Sequence, residues 1–412
     1  MSKSADAALD RAVVVLKGNM VKEGLRASAA YYNQVWARDA FISFLGANLL
    51  GDETLLGCAR DTVSTFARTA SPLGQIPNFF DLRSHTPEYG YSGSTDSTSW
   101  YIIGLASLYA TTKDKTLLRG PLKVALAAYR WLRFQDANNS WLVDSPAGAD
   151  WMDAAVQRTG KTLYNNVLFI MATESLNTLV GGSAETTDNL VIPDLDELKQ
   201  RFTDVFLPDK GSPKRLAAYW PRLSEVYSRG MPVGYNHSYY IHYLSFSRID
   251  THFDTLSNLL CVLSGVSKPP VTARILDTIS SRSLAEPFPA RVLDPPYEGE
   301  GATFHSDFDS SLPIQHQSGP YAYHNGGVWP FVGGLYVTSL YMKGNPGAGK
   351  ALQGLVDANS RFREGESIGF NEWLHGKTGE PLGQYGQSWS AGMLIAATKA
   401  SKGVDLLGYL KT

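Results

Sequence analysis

The sequence predicts an all-α protein, one domain over residues 1–412, folded as an (α/α)6 toroid in which six inner helices are wrapped by six outer ones. Two observations carry this. Apolar residues fall at three- and four-residue steps in about twelve separate segments, while extended alternating segments are few and short. No low-complexity linker interrupts the run, and no repeat of ~34 to 47 residues marks an α-solenoid.

In chain order the helical pattern covers residues 5–17, 38–50, 53–69, 97–111, 121–135 and 162–179. It continues over 194–205, 253–264, 271–280, 328–342, 350–360 and 387–399. The first segment is amphipathic. Those at 38, 97 and 328 open on polar and aromatic residues, and Pro330 suits a first helical turn because its missing N–H is not needed there. Between segments lie turn-forming connections such as Ser71-Pro72-Leu73-Gly74 and Pro295-Pro296-Tyr297-Glu298-Gly299. Loops on a rigid helical scaffold would build a funnel-shaped pocket at one end.

Composition narrows the partners. With 43% hydrophobic and 18% charged residues, the 412-residue chain can bury a large core. A net charge of -2 without charged blocks argues against nucleic acid or an anionic membrane surface. No apolar run reaches the ~18 residues of a spanning helix, and the N-terminal pattern lacks the succession of a signal peptide. Cys58 and Cys261 lie in apolar helical contexts and read as buried thiols. A cytoplasmic, soluble protein is expected; its oligomeric state is open. Aromatic content is high, with 9 Trp, 21 Tyr and 17 Phe, and sugar-binding clefts use such faces to stack on pyranose rings.

Two acids stand out. Asp153 follows Asp150-Trp151-Met152, and Glu372 lies in Phe370-Asn371-Glu372-Trp373-Leu374-His375-Gly376. A carboxyl desolvated beside tryptophan has its pKa raised, as a general acid requires. A second carboxyl that activates water or attacks the sugar completes the set for cleaving a glycosidic bond. Taken alone, either residue is as well read as a helix cap or a loop acid. The surroundings favour the chemical reading. Tyr32-Asn33-Gln34-Val35-Trp36-Ala37-Arg38-Asp39, Tyr91-Ser92-Gly93-Ser94-Thr95-Asp96 with Trp100, and Tyr321-Ala322-Tyr323-His324-Asn325-Gly326-Gly327-Val328-Trp329-Pro330 each place polar and aromatic residues at a helix entrance. Asp96 could equally be an N-cap.

Other chemistries lack their motifs. There is no phosphate-binding glycine loop and no Gly-x-Ser-x-Gly elbow. The eight histidines show no metal-ligand spacing, His237 and His242 being five apart. Asp307 and Asp309 hint at calcium, but further spaced oxygen ligands are missing. Neither a metal nor a cofactor is expected.

In combination these segments resemble a family of (α/α)6 glycoside hydrolases from about residue 30 to about residue 400. Residues 32–50, Gly74-Gln75-Ile76-Pro77-Asn78, 96–114 and Trp151-Met152-Asp153-Ala154 look like the amylo-α-1,6-glucosidase domain of glycogen debranching enzymes. The stretch from Tyr323 to Pro330, and the Glu372 loop through Gln387-Ser388-Trp389-Ser390-Ala391-Gly392, look like both those enzymes and the neutral/alkaline invertases; residues 253–260 are similar to an invertase segment. The resemblance implies Asp153 as general acid and Glu372 as the base that activates water, with inversion. It implies Arg38, Asp39 and Asp96 as holders of the terminal sugar, with Trp36, Trp100, Trp151, Trp329, Trp373 and Trp389 as pocket walls. His324, Asn325 and Gln387 would add polar contacts.

The segment from Asp153 to Asn166 is shorter than in typical debranching enzymes, and the protein is expected to lack their N-terminal sugar-binding or transferase domain. The expected substrate is therefore small: an oligosaccharide or glucoside with a terminal α-linked glucosyl unit, a glucosyl-glycerate-like compound, or sucrose. Two rivals are kept. One is a glycan-binding protein on the same scaffold without catalysis. The other is an isomerase or phosphorylase, for which His324 would be the acid/base group or a basic pocket would replace Glu372.

Overall fold

A computed structural model describes residues 3–90, 93–154, 156, 158–182, 190–230, 235–245, 248–298 and 319–411. Fourteen α-helices occur among them: α1 (Lys3–Asn19), α2 (Ala37–Ala47), α3 (Glu53–Thr69), α4 (Thr95–Thr112), α5 (Gly120–Arg133), α6 (Leu163–Gly181) and α7 (Leu195–Phe206), then α8 (Ser212–Leu216), α9 (Pro221–Ser228), α10 (Thr255–Leu263), α11 (Pro269–Ser281), α12 (Pro330–Met342), α13 (Ala348–Asn359) and α14 (Ser388–Ala400). Each of the twelve segments expected from periodicity corresponds to one of these. The sequence reading missed α8 and α9, which are too short to display a helical period.

Extended structure is confined to short pieces. β1 (Met20–Val21) pairs with β2 (Gly24–Leu25), and β3 (Gln34–Trp36), β4 (Phe79–Asp81) and β5 (Thr86–Glu88) form an antiparallel sheet. A second three-stranded sheet joins β6 (Lys161–Thr162), β7 (Tyr243–Leu244) and β8 (Ile249–Asp250). β9 (Phe253–Asp254) pairs with β10 (Leu293–Asp294), and β11 (Trp373–Leu374) with β12 (Pro381–Leu382).

Helix composition decides layer. A helix apolar on every side must be surrounded by protein, whereas one with a single apolar stripe faces water on the other side. α2 and α10 are buried throughout, and α4, α6, α12 and α14 nearly so. α2 packs on α4, α4 on α6, α6 on α10, α10 on α12, α12 on α14, and α14 returns to α2, a closed cycle of six helices. The amphipathic helices lie against this cycle: α3 on α2 and α4, α5 on α4 and α6, α7 on α6, α11 on α10, α13 on α12 and α14, and α1 on α14 and α13. Buried side chains from both sets merge into one apolar core. Capping begins several of them. Asp52, Thr162, Asp194 and Asp254 each accept N–H groups from the first turn of α3, α6, α7 and α10.

The closure of the cycle is tightest where α14 meets α2. A Cβ on Gly46 would collide with the Gly392 carbonyl oxygen, and one on Gly392 would lie 2.5 Å from the Ser43 carbonyl oxygen. Backbone cannot give way as a flexible side chain can, so Gly46→Ala is expected to cost about 1–3 kcal/mol or more by overpacking. Urea denaturation checks this; a loss under about 0.5 kcal/mol, the scale of a neutral surface change, would mean that the two helices separate freely.

Candidate active site

The N-terminal ends of α2, α12 and α14 meet at a cavity of about 830 Å³. β3 delivers Trp36, and the first turn of α2 places Arg38 and Asp39 immediately after it. Trp329 precedes Pro330 at the start of α12, and Trp389 lies in the first turn of α14. Loops supply Asp153, His324 and Glu372.

Arg38 organises the acids. Its guanidinium lies 3.1 Å from Asp96, 3.6 Å from Asp153 and 3.8 Å from Asp39. Asp96 itself is wholly buried behind Arg38, where Ser94 Oγ and Tyr164 Oη donate to it. It works as a partner of Arg38 rather than as a cavity wall.

Asp153 is aimed by a rigid turn. Asp150 accepts the Met152 N–H at 2.9 Å and the Arg158 Nε–H at 2.8 Å. Trp151 between them is buried, packed edge-on against His324, Trp329 and Phe331. The Asp153 side chain keeps 31% of its surface open, facing the cavity. Loss of bulk water raises its pKa to about 7; Arg38 pulls the other way, while Asp96, Asp150 and Asp39 add to the rise.

Glu372 is held differently. Tyr32 Oη donates to Oε1 at 2.9 Å and the Gln384 N–H donates to Oε2 at 3.1 Å. The loop comes this close because Gly383 has φ +66° and no Cβ, which would lie 2.5 Å from Glu372 Oε2. Burial raises the Glu372 pKa to about 7, the two donors oppose the rise, and the Asp153 charge adds to it. Asp39, also facing the cavity, is raised to about 7 chiefly by burial.

The aromatic wall is continuous. His324 stacks on Trp329 at 5.1 Å, Trp329 meets Trp389 edge-on at 5.5 Å, and Phe331 stacks behind Trp389 at 4.3 Å. Burial, with Arg38 and Arg158 nearby, holds His324 well below the usual imidazole range, so the ring is neutral. Polar atoms without a protein hydrogen-bond partner include the indole N–H groups of Trp36, Trp151, Trp373 and Trp389, His324 Nδ1 and both ends of the Gln387 amide. Buried polar atoms are normally paired; the unpaired ones on Trp36, Trp151, His324 and Trp389, which line the cavity, suit a hydroxyl-rich ligand.

Of the residues singled out from sequence, Trp36, Arg38, Asp39, Trp151, Asp153, His324, Trp329, Glu372 and Trp389 line the cavity. Five do not. Besides Asp96, Trp100 is deep in α4 with its N–H on Tyr164 Oη at 2.8 Å. Asn325 bonds the Tyr297 backbone in both directions. Trp373 backs Tyr323 at 5.7 Å, and Gln387 is buried at the α14 N-cap. Conversely, Tyr32, Asn78, Phe79, Glu88, Gly148 and Tyr323 line the cavity without having been assigned a role. Tyr32 and Tyr323 belong to the aromatic motifs at the helix entrances, whereas Phe79 and Glu88 reach the site only through cross-strand pairing.

No group of three or more His, Cys, Asp or Glu side chains that could hold a metal occurs among the described residues. Asp307 and Asp309 lie outside them. No described helix is long and apolar enough to cross a membrane.

The raised carboxyls carry a pH prediction. Folded-state pKa values of about 7 for Asp153 and Glu372 exceed the unfolded values near 4. The stability they contribute is full below about pH 4 and is lost as pH rises through about 7. Relative to wild type, Glu372→Gln is expected to gain stability on the order of 2 kcal/mol between pH 4 and pH 8. Urea midpoints across that range check it, and a pH-independent difference would remove the argument.

A helical scaffold that presents two carboxyls, one buried and one half-buried, to one tryptophan-walled cavity is the architecture of a glycoside hydrolase. The amylo-alpha-1,6-glucosidase family model matches residues 8–396, and the chain belongs to that family. Over 164 residues it is 27% identical to probable alkaline/neutral invertase D of Arabidopsis thaliana, covering 38% of this chain and 29% of that protein. Cytosolic invertase 1 of Oryza sativa subsp. japonica is 26% identical over the same length, covering 38% of this chain and 27% of that protein. Among solved structures, the GH63 mannosylglycerate hydrolase from Thermus thermophilus in complex with glucose superposes with a TM-score of 0.63 at 16% identity, covering 95% of this chain and 100% of that chain. A glycosidase variant in complex with glucose gives 0.57 at 14% identity, covering 97% of each chain. At these identities the structural likeness speaks for the fold.

Proposed function

We propose that the protein is an inverting, exo-acting glycoside hydrolase that releases a terminal α-linked glucosyl unit from a small oligosaccharide or glucoside. We read it as a single (α/α)6 domain; the closed cycle of α2, α4, α6, α10, α12 and α14 supports that architecture. The observation that carries the activity is the pairing of Asp153 and Glu372 across one cavity in contrasting surroundings. Burial favours the protonated form of both, but only Glu372 also accepts two hydrogen bonds, which favour its anion.

In the reaction, Asp153 gives its proton to the glycosidic oxygen as the bond to the anomeric carbon breaks. Glu372 takes a proton from a water that attacks the same carbon from the opposite face. The leaving group departs as an alcohol, the sugar gains the hydroxyl, and exchange with solvent restores both carboxyls. Arg38, fixed by Asp96, holds Asp39 and Asp153 in place beside the sugar. The cavity of about 830 Å³, walled by His324, Trp329 and Trp389, is of a size that suits a terminal sugar unit, which supports an exo mode.

Sucrose cleavage is the second reading, favoured by the 164-residue match to the invertases. A panel of α-glucosides and sucrose, followed by anomer-resolved proton NMR, tests both. β-Glucose appearing first from an α-glucoside supports inversion with these roles. The α-anomer first would mean retention, with Glu372 as nucleophile; no cleavage of any sugar would favour a binding protein. For location we propose the cytoplasm, a reading supported by two buried thiols that form no disulfide.

A further inference from the structure

The cavity mouth has a charge pattern that the hydrolytic reaction does not require. Trp36, Phe79 and Glu88 are direct cross-strand neighbours on β3, β4 and β5, and all three line the cavity. Trp36 and Phe79 lie 4.5 Å apart at a tilt, so one edge of the wall is aromatic and ends in a carboxylate. Glu88 Oε1 accepts the Gly90 N–H at 2.9 Å, which holds this acid at the rim. Arg38 is the one cation among the described lining residues, and it is already shared by Asp39, Asp96 and Asp153. By sequence, the residues outside the described set include no lysine or arginine. Even with Asp153 protonated, carboxylates outnumber cations along the cavity.

We infer that the leaving-group side of this site takes neutral, hydroxyl-rich aglycones and rejects carboxylate-bearing ones, with Glu88 as the specificity-determining residue. The inference rests on the hydrolase reading and narrows its substrate class. The aromatic pair offers an apolar face to a polyol or sugar ring, and Glu88 accepts hydrogen bonds from its hydroxyls. A carboxylate in the same place would meet the like charge of Glu88, which is exposed at the rim, with no cation beside it to offset the repulsion.

Glucosylglycerol and glucosylglycerate differ at one position, a hydroxymethyl against a carboxylate, and make a matched pair of probes. Wild type is expected to favour glucosylglycerol by about two- to fivefold in kcat/KM, the scale of one exposed charge pair. That preference should shrink as salt is raised from about 0.05 to 1 M, over which the screening length falls to ~3 Å. Glu88→Gln should abolish most of this preference and Glu88→Lys should reverse it by about two- to fivefold. Equal or reversed preference in wild type, or a ratio unmoved by Glu88→Lys, overturns the inference. Calorimetric binding of the two probes to Glu372→Gln separates this from the activity itself. If neither probe is cleaved by wild type, the hydrolase reading fails for them. Tighter binding of glucosylglycerol still supports the charge selection, and equal or absent binding of both overturns it.

Discussion

Asp153→Asn and Glu372→Gln are each expected to lose about 10²- to 10⁴-fold in kcat/KM, the contribution of a positioned acid or base, with the fold intact. The two losses should differ in kind. In its proposed role Asp153 assists departure of the leaving group, so an aglycone that leaves as a stable anion, such as dinitrophenolate, needs little help. Activity of Asp153→Asn on a dinitrophenyl glucoside should recover most of the loss. The proposed base Glu372 would activate water whatever the leaving group, so Glu372→Gln should gain nothing from that substrate. Steady-state kinetics of both variants on a poor and a good leaving group decide the matter. Equal recovery in the two would exchange or dissolve the assigned roles. Neither substitution should lower stability near neutral pH, because burial disfavours the charge that each removes.

Arg158→Met is expected to give the largest loss of stability, about 3–5 kcal/mol, because it strands buried charges. Arg158 has no solvent exposure and donates to Asp150 at 2.8 Å and to Asp254 at 2.6 Å, with His242 Nε2 at 2.9 Å from the same guanidinium. Both acids have structural tasks. Asp254 caps α10, and Asp150 accepts the Met152 N–H in the turn that aims Asp153. Removing the cation leaves two buried carboxylates without their counter-charge, so activity should fall along with stability. The combined change Arg158→Met, Asp150→Asn, Asp254→Asn should recover part of the stability, since the uncompensated charges are then gone. Urea unfolding of both proteins tests this. A loss of under about 1 kcal/mol for Arg158→Met would show that water reaches the pair.

Much of this arrangement is legible in the sequence, and the reason is local. Helix spacing is a property of neighbouring residues, so the twelve longer helices could be read from apolar steps alone, whereas α8 and α9, with five and eight residues, leave no period to read. Asp153 and Glu372 were visible because each carries tryptophan beside it in the chain. Tertiary structure decided everything that depends on which segments meet. The cyclic packing of six helices brings Tyr32 to Glu372 across 340 residues and places Arg38 between Asp96 and Asp153. It also put Asp96, Trp100, Asn325, Trp373 and Gln387 behind the cavity rather than on it, because helix entrances look alike whether they face a ligand or a neighbouring helix. Phe79 and Glu88 entered the site through strand register, a pairing between distant segments that no local pattern encodes. The chain by itself thus determined its helices and the two acids proposed to react; their environment, and with it their pKa values and the charge at the cavity mouth, arose only when the ring closed and excluded water.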